Sequence, residues 1–371
     1  MLISRMNLAG LHYIGYAILM TASKDNLGKI AKLLLSHGAD ANSVIDGSDS
    51  TLNICIQNGC KEVLEAILDH VDVNEVNYVS EEGLLTPLQL SALNDNPEVT
   101  ALILEEGADI NAKDSYGCSA HHLASTNNNK NVLSVLLKWG IELESKDEDG
   151  DTALQCAAGN GASDSCSLLL THGANVNAKN SMDKTPLHLA AEEGDVFTIM
   201  ALLRYWPDIN AVSKENATAL DCIARKFIEK ETELNLMDCA KSDLNRAYFD
   251  NYQEMLDCRA YTVSNNFSKA AEILRHYIVK LHAAEFFVSG TNLRSVDFDD
   301  PCIQKLKADC EEELSEMKNR KIPGLNCTFF ELLSRSNDDL LNSEVLNSMS
   351  DFSIYRSMIL QKLKRNEKLL I

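Results

Sequence analysis

The run Thr152-Ala153-Leu154-Gln155-Cys156-Ala157-Ala158-Gly159-Asn160-Gly161 is restated as Thr185-Pro186-Leu187-His188-Leu189-Ala190-Ala191-Glu192-Glu193-Gly194. Between them lies Ser167-Leu168-Leu169-Leu170-Thr171-His172-Gly173-Ala174-Asn175-Val176-Asn177-Ala178. The step from Thr152 to Thr185 is 33 residues. Working outward, Thr86 opens T-P-L-Q-L-S-A, Ser119 opens S-A-H-H-L-A-S and Thr218 opens T-A-L-D-C-I-A, all on the same step. A fixed period of this length means supersecondary units stacked side by side, each contacting only its neighbours.

The physics of one unit explains its wording. Thr185 suits a helix N-cap, and Pro186 stands at the first helical position, where a missing N–H has no cost. Gln89 and Gln155 follow Thr86 and Thr152 by three residues, as a capping box requires. Leu187, Leu189, Ala190 and Ala191 give a short first helix its apolar face, and Ile199, Leu202 and Leu203 serve the second. Gly38, Gly107, Gly140 and Gly173 fall just past the second helix, where a left-handed residue ends it. Neither helix can bury its stripe alone.

With the T-P-L-H-x-A opening, this pattern resembles the ankyrin repeat, from about Tyr13 to Ala224. The resemblance implies an all-α fold: an ankyrin-repeat solenoid of helix pairs with β-hairpin-like turns. Residues 13–224 read as about seven units, the first and last atypical, and residues 225–371 as an all-helical C-terminal region.

In the first unit Ala17 replaces the capping threonine, and Ile30 to Leu35 form the second helix. The second unit opens at Ser50-Thr51, and Glu75 to Leu85 exceeds the usual connection, as a surface loop or an added contact surface. In the sixth unit Trp206-Pro207 stand where Gly-Ala is expected, so that helix is expected to end differently. The seventh opens at Thr218 and loses the pattern after Ala224.

Beyond Arg225 the period of 33 stops while helical periodicity continues. Ala270, Leu274, Tyr277, Leu281, Ala284 and Val288 line one long amphipathic helix, and Ile303, Leu306, Cys310, Leu314 and Met317 another, with Glu311-Glu312-Glu313 outward. Ser289-Gly290-Thr291-Asn292 and Pro323-Gly324 read as breaks. Phe329 to Leu333 and Ile354 to Leu369 read as further helices, the last basic through Arg356, Lys362, Lys364, Arg365 and Lys368.

The words Arg275 to Ala284, Cys310 to Leu314 with Met317-Lys318, Thr328 to Leu333 and Phe352 to Tyr355 resemble the PRANC segment. That segment follows ankyrin repeats in poxvirus proteins and in relatives from parasitoid wasps and Wolbachia-type bacteria; here the resemblance covers roughly residues 240–371. In the poxvirus members it ends in an F-box-like hook for a cullin ubiquitin ligase. The L-P-x-E-I box of that hook is not legible here, Ile322-Pro323 with Asp339-Leu340 matching only its spacing.

Composition bounds the chemistry. The formal net charge of −21 over 371 residues disfavours a grip on nucleic-acid phosphates or anionic lipid, and favours basic protein partners. The apolar run Leu8 to Met20 is interrupted by His12 and needed by the first unit, so it is not read as a signal peptide, and no run reaches membrane-spanning length. Eleven cysteines without CxxC or a disulfide framework, several such as Cys55 and Cys156 at core positions, indicate a reducing compartment and a cytoplasmic location, with delivery into a host cell or nuclear entry left open.

No catalytic, cofactor or metal motif emerges. His122 and His188 belong to the repeat's opening turn, His37, His70 and His172 precede its terminal glycine position, and HExxH and GxxxxGK[ST] are absent. The acidic tip Asp147-Glu148-Asp149-Gly150-Asp151 lacks the 12-residue calcium-loop spacing with a final Glu, and reads as a solvated hairpin end. Candidate partner-binding residues are Tyr116, Asp147, Glu148, Asp149, Asp151, Met182, Asp183 and Lys184 at the tips. Asn127, Asn160, Glu192 and Glu193 join them on the inner helices. The expectation is a non-enzymatic protein-binding chain. A cullin-ligase substrate adaptor, an enzyme with a site in residues 225–371 and a purely structural scaffold stay open as alternatives.

Overall fold

The computed structural model describes residues 27–37, 39, 41, 50–74, 78–80, 83–226, 229, 250–283, 288–294, 296–320 and 328. The chain divides into two compact units, Met1–Asn175 and Val176–Ile371. Expectations for Ala17 to Ser23, Gly38, Ala284, Ile322 to Gly324, Phe329 to Leu333, Asp339-Leu340, Phe352 to Tyr355 and Ile354 to Leu369 lie outside the described residues.

In the first unit, α1 (Gly28–Ser36) precedes the pairs α2 (Thr51–Asn58) and α3 (Lys61–Ile67), α4 (Pro87–Leu93) and α5 (Pro97–Glu105), α6 (Ala120–Thr126) and α7 (Lys130–Lys138), and α8 (Ala153–Gly159) and α9 (Ser163–Thr171). First helices stack on first helices, α2 on α4, α4 on α6 and α6 on α8, and second helices on second helices, α3 on α5, α5 on α7 and α7 on α9. Their stripes make the core: Leu88, Ala92, Leu123, Ala124, Ala157 and Ala158 on one row, Val99, Ile103, Leu133, Leu136, Cys166 and Leu169 on the other, all buried. Two three-residue strands, β1 (Tyr78–Ser80) and β2 (Gly83–Leu85), form an antiparallel hairpin inside the long second connection.

From the third repeat on, each first helix is fixed at its start by a reciprocal cap, whereas α2 has only one half of it, Ser50 Oγ accepting from Asn53 N at 3.2 Å. Thr86 Oγ1 accepts from Gln89 N at 3.3 Å while Gln89 Oε1 accepts from Thr86 N at 2.8 Å. Thr152 and Gln155 repeat the exchange, and His122 and His188 do the same work through Nδ1 for Ser119 and Thr185. The seventh opening substitutes a carboxylate, Asp221 Oδ2 accepting from Thr218 N at 2.8 Å, and residues 219–226 are helical. Gln89 also donates onward to the carbonyls of Ala112 and Cys118, so one side chain caps its helix and holds the next hairpin.

From the third repeat to the sixth, three backbone positions per repeat are left-handed on the period of 33, while Gly59 in the second repeat is left-handed off that register. The periodic positions are Asp95, Asn128, Gly161 and Gly194 between the helices; Gly107, Gly140, Gly173 and Trp206 after the second helix; and Gly117, Gly150, Asp183 and Asn216 at the hairpin tips. The sixth repeat's second helix nevertheless ends differently: it stops at Leu203, one residue short of its equivalents Glu105, Lys138 and Thr171, and Pro207 has no N–H for the closing bond that Ala108, Ile141 and Ala174 donate to Ile103, Leu136 and Leu169. Only the left-handed position is kept, Trp206 taking the glycine's place at φ 56°, a conformation costing a non-glycine residue about 1–2 kcal/mol.

In the second unit, α10 (Pro186–Glu193) pairs with α11 (Val196–Leu203), followed by α12 (Asp250–Ala283), α13 (Gly290–Arg294) and α14 (Pro301–Asn319). Leu189 is only half-buried, and His188, at 1% exposure, sits inside instead, because capping Thr185 turns its ring inward. The α12 helix packs on α11 and α14 packs on α12. Ala270, Leu274, Tyr277 and Leu281 are buried as the periodicity requires, as are Ile303, Cys310, Leu314 and Met317, while Leu306 is half-exposed. Phe267 is buried directly over Gly194, where a Cβ would stand 2.7 Å from the ring. The expected break at Ser289 to Asn292 does lie between the two long helices α12 and α14, and inside it Gly290 opens the short helix α13, in which Asn292 is buried at 1% exposure.

A side-chain ladder runs along the hairpin bases. Asn74 Oδ1 accepts from Asp109 N at 2.7 Å, Asn111 Oδ1 from Glu142 N at 3.3 Å and Glu144 Oε1 from Asn175 N at 2.8 Å. In the second unit Asn177 Oδ1 accepts from Asp208 N at 2.7 Å, and Asn210 Oδ1 from Ser289 N at 2.7 Å. Ser289 thus stands where the seventh repeat's own hairpin residue would stand, with Asn292 Nδ2 donating to Ile209 O at 2.8 Å beside it.

Candidate interaction surface

The hairpin tips are built by one recurring device. Asp114 Oδ1 accepts from the backbone N–H groups of Tyr116 and Cys118 at 2.9 and 2.8 Å, and Asn180 Oδ1 accepts from Met182 and Lys184 at 3.0 and 2.9 Å. At the tip between them in sequence, Asp147 Oδ1 accepts from Asp151 N at 2.8 Å, while Asp147 Oδ2 accepts from the Cys156 thiol at 3.7 Å. Such side-chain turns let a short polar residue replace backbone hydrogen bonding. Asp147 is therefore a turn-holding residue, a role the sequence reading missed, although Asp114, Asp147 and Asn180 fall on the period of 33. Cys156 is correspondingly half-buried, not a core hydrophobe; burial and the nearby carboxylates of Asp147 and Asp151 push its thiol well above the usual range.

What the turns present is apolar and acidic. Tyr116 is 52% exposed and Met182 44% exposed, although neither has a core to fill. Tyr116 O accepts from Glu148 N at 2.9 Å, which ties that tip to the next and sets the exposed Glu148 and Asp149 beside it. Within the second unit Met182 O accepts from Lys214 N at 2.9 Å. Asp151 and Asp183 are half-buried, Asp183 holding the left-handed place of its tip. Lys184 reaches both carboxylate oxygens of Glu192, at 2.7 and 2.9 Å, so these two predicted contact residues also hold a tip against its own helix.

On the inner helices Asn127 and Asn160 are exposed, yet each Nδ2 donates to a carbonyl of its own helix, Leu123 O and Cys156 O, both at 2.9 Å. They close the last turn where capping is needed. Glu193 is exposed and Glu192 half-exposed.

Histidines form a second polar cluster beneath the Tyr116 tip. Ser119 Oγ lies 2.7 Å from His121 Nδ1 and 2.9 Å from His122 Nδ1, and His122 Nε2 lies 3.1 Å from Ser145 O. Both rings are buried. Burial, reinforced by the charges of His122 and Lys113, lowers the His121 pKa to about 3; burial also lowers that of His122, against the opposing pull of Asp147. Among the described residues no group of three or more His, Cys, Asp or Glu could hold a metal ion, and no helix is long and apolar enough to cross a membrane. In the second unit His282, Phe298, Gln304, Lys307, Ala308 and Glu311 line an open depression of about 310 Å³.

A family model for ankyrin repeats matches three times, over residues 52–147, 88–180 and 121–213. The chain is similar to alpha-latrocrustotoxin-Lt1a of Latrodectus tredecimguttatus, 32% identical over 90 residues, which are 24% of this chain and 6% of the toxin, so it spans only a small part of that relative. A solved structure of the human ASB11 ankyrin repeat domain aligns with a TM-score of 0.49 at 24% identity, covering 55% of this chain and 90% of that one. With the caps, the left-handed positions and the hairpin ladder all keeping one register, residues 52–213 of this chain are ankyrin repeats.

Proposed function

We propose that this chain is a non-enzymatic binding protein whose repeat tips and inner helices hold a protein partner, and that residues 225–371 close the repeat array or recruit a second partner. Ankyrin repeats bind proteins, and solenoids offer extended surfaces for it. The observation that carries the reading is Tyr116, an aromatic side chain 52% exposed on a tip fixed from beneath by Asp114. Aromatic anchors are enriched among the residues that dominate interface energies, and a pre-set tip loses little entropy on binding. Glu148 and Asp149 beside it favour a basic patch on the partner, chiefly through association rate and specificity. The test is capture of partners from cell lysate by the full chain and by its Tyr116→Ala and Met182→Ala forms. Loss of the same bound protein from a folded variant supports the proposal, and an unchanged bound set sinks it.

The PRANC-type wording of residues 240–371 supports a narrower form of the reading. In it the chain is an effector of virus, symbiont or parasitoid type, acting on host ubiquitination or NF-κB-type signalling. A substrate adaptor for a cullin ubiquitin ligase is the second reading, favoured by the same resemblance. It requires ligase subunits to co-purify with the chain and to be lost on deleting residues 322–371.

A further inference from the structure

The solvent face of α11 breaks the repeats' own rule. On the outer helices of three earlier repeats the equivalent positions are Glu98, Asn131 and Asp164 at the first, polar and exposed, and Ala101, Ser134 and Ser167 at the second, small and half-buried. In α11 they become Phe197, 72% exposed, and Met200, 43% exposed. Three residues apart, they form one patch, and the exposed Arg204 lies four further on along the same face. Large apolar side chains paired on a surface mark contact sites.

We propose that a second copy of this chain covers the patch, laying its own α11 antiparallel across it about a two-fold axis between Phe197 and Met200. Self-complementarity selects this occupant. An isologous contact requires each residue to find a complement on the same surface of the other copy. With the axis there, Phe197 meets the partner's Met200 and Met200 meets the partner's Phe197, a pair of sulfur–aromatic contacts. The acidic connection that leads into the helix, with the exposed Glu193 closing α10 and Asp195 as the N-cap of α11, then receives the partner's Arg204. A parallel arrangement sets Arg204 against its own copy. The helix is eight residues long, so the contact is small and the dimer is concentration-dependent, dissociating in the micromolar range.

Sedimentation equilibrium of the full chain tests this from about 1 to about 100 µM, a range that brackets such a dissociation constant. The expected result is a mass that rises toward twice the chain mass. Phe197→Glu, and independently Met200→Glu, should weaken association by at least about tenfold with an unchanged circular dichroism spectrum, since both side chains point to solvent. Arg204→Glu should weaken it, and the charge-swapped Glu193→Lys/Arg204→Glu chain should regain it. A wild-type chain that stays monomeric throughout overturns the proposal and leaves the patch to a different protein. A dimer indifferent to both glutamate substitutions overturns it equally.

Discussion

The backbone N–H of Ser289 donates to Asn210 Oδ1 at 2.7 Å, the bond that Asp208 makes to Asn177 one repeat earlier. The acceptor keeps the period of 33, but the donor comes 79 residues later in the chain. Residues after the repeats thus supply the next rung. Asn292, buried beside it, donates to Ile209 O at 2.8 Å and to Asn210 Oδ1 at 3.2 Å. Replacing Asn292 with Leu leaves a buried carbonyl short of a donor, at a cost of about 1–3 kcal/mol. Urea denaturation should show the second unit destabilised by that amount, and a shift under about 0.5 kcal/mol, the range of an ordinary surface substitution, would contradict the role given to this side chain.

Gly194 and Gly173 have similar left-handed backbones and different surroundings. A Cβ on Gly173 meets nothing within 4 Å, whereas one on Gly194 stands 2.7 Å from the Phe267 ring. Gly173→Ala should therefore cost only the backbone term, about 1–2 kcal/mol. Gly194→Ala should cost that and about 1–3 kcal/mol of overpacking besides. In a Phe267→Ala background the excess should vanish, as a double-mutant cycle on thermal or urea melts can read.

Trp206 offers the opposite experiment. Glycine adopts its conformation without strain, so Trp206→Gly should be more stable than Trp206→Ala by about 1 kcal/mol. This reverses the usual order of the two residues. Equal midpoints for the two variants would count against strain at this position.

Acid should weaken the first unit through its buried histidines. An unfolded His binds a proton below its ordinary 6.5, while folded His121 stays neutral down to about 3. Across that window the unfolded state holds more protons, so stability falls as pH falls, by about 1.4 kcal/mol per pH unit for one such group. His121 stands where Leu88, Leu154 and Leu187 stand in other repeats, all at 1% exposure. His121→Leu should raise the urea midpoint more at pH 5 than at pH 7.5. A variant with the wild-type pH slope would remove His121 from the account.

Much of this was legible in the chain because repetition amplifies weak signals. One Thr with a Gln three residues on is a common coincidence, but Thr86 with Gln89 and Thr152 with Gln155, on a shared period, announces a capped helix that the structure contains. The candidate surface was legible in part: Tyr116 and Met182 could be placed at exposed tips by register, and both are exposed. The duties of Asp147, Asn127 and Asn160 toward their own backbone were not separated from a binding role, since a polar residue near a turn reads alike in both cases. Trp206-Pro207 was legible as a changed helix ending, because a proline has no N–H to close the turn; the left-handed backbone of Trp206 was not, because strain tolerated in one copy of a repeat leaves no mark on side-chain preference. Ser289 and Asn292 were illegible for a different reason: nothing local in S-G-T-N names an acceptor 79 positions upstream.

That span has a bearing on how the polypeptide matures. The inter-repeat ties at the hairpin bases of the first unit bridge 31 to 35 positions, short enough to close as each segment leaves the ribosome. The part of the sixth brick that residues 217–226 leave uncovered must instead wait until Phe267 and Ser289 have been synthesised, and during that wait it is the point where a chaperone or a protease meets the nascent chain.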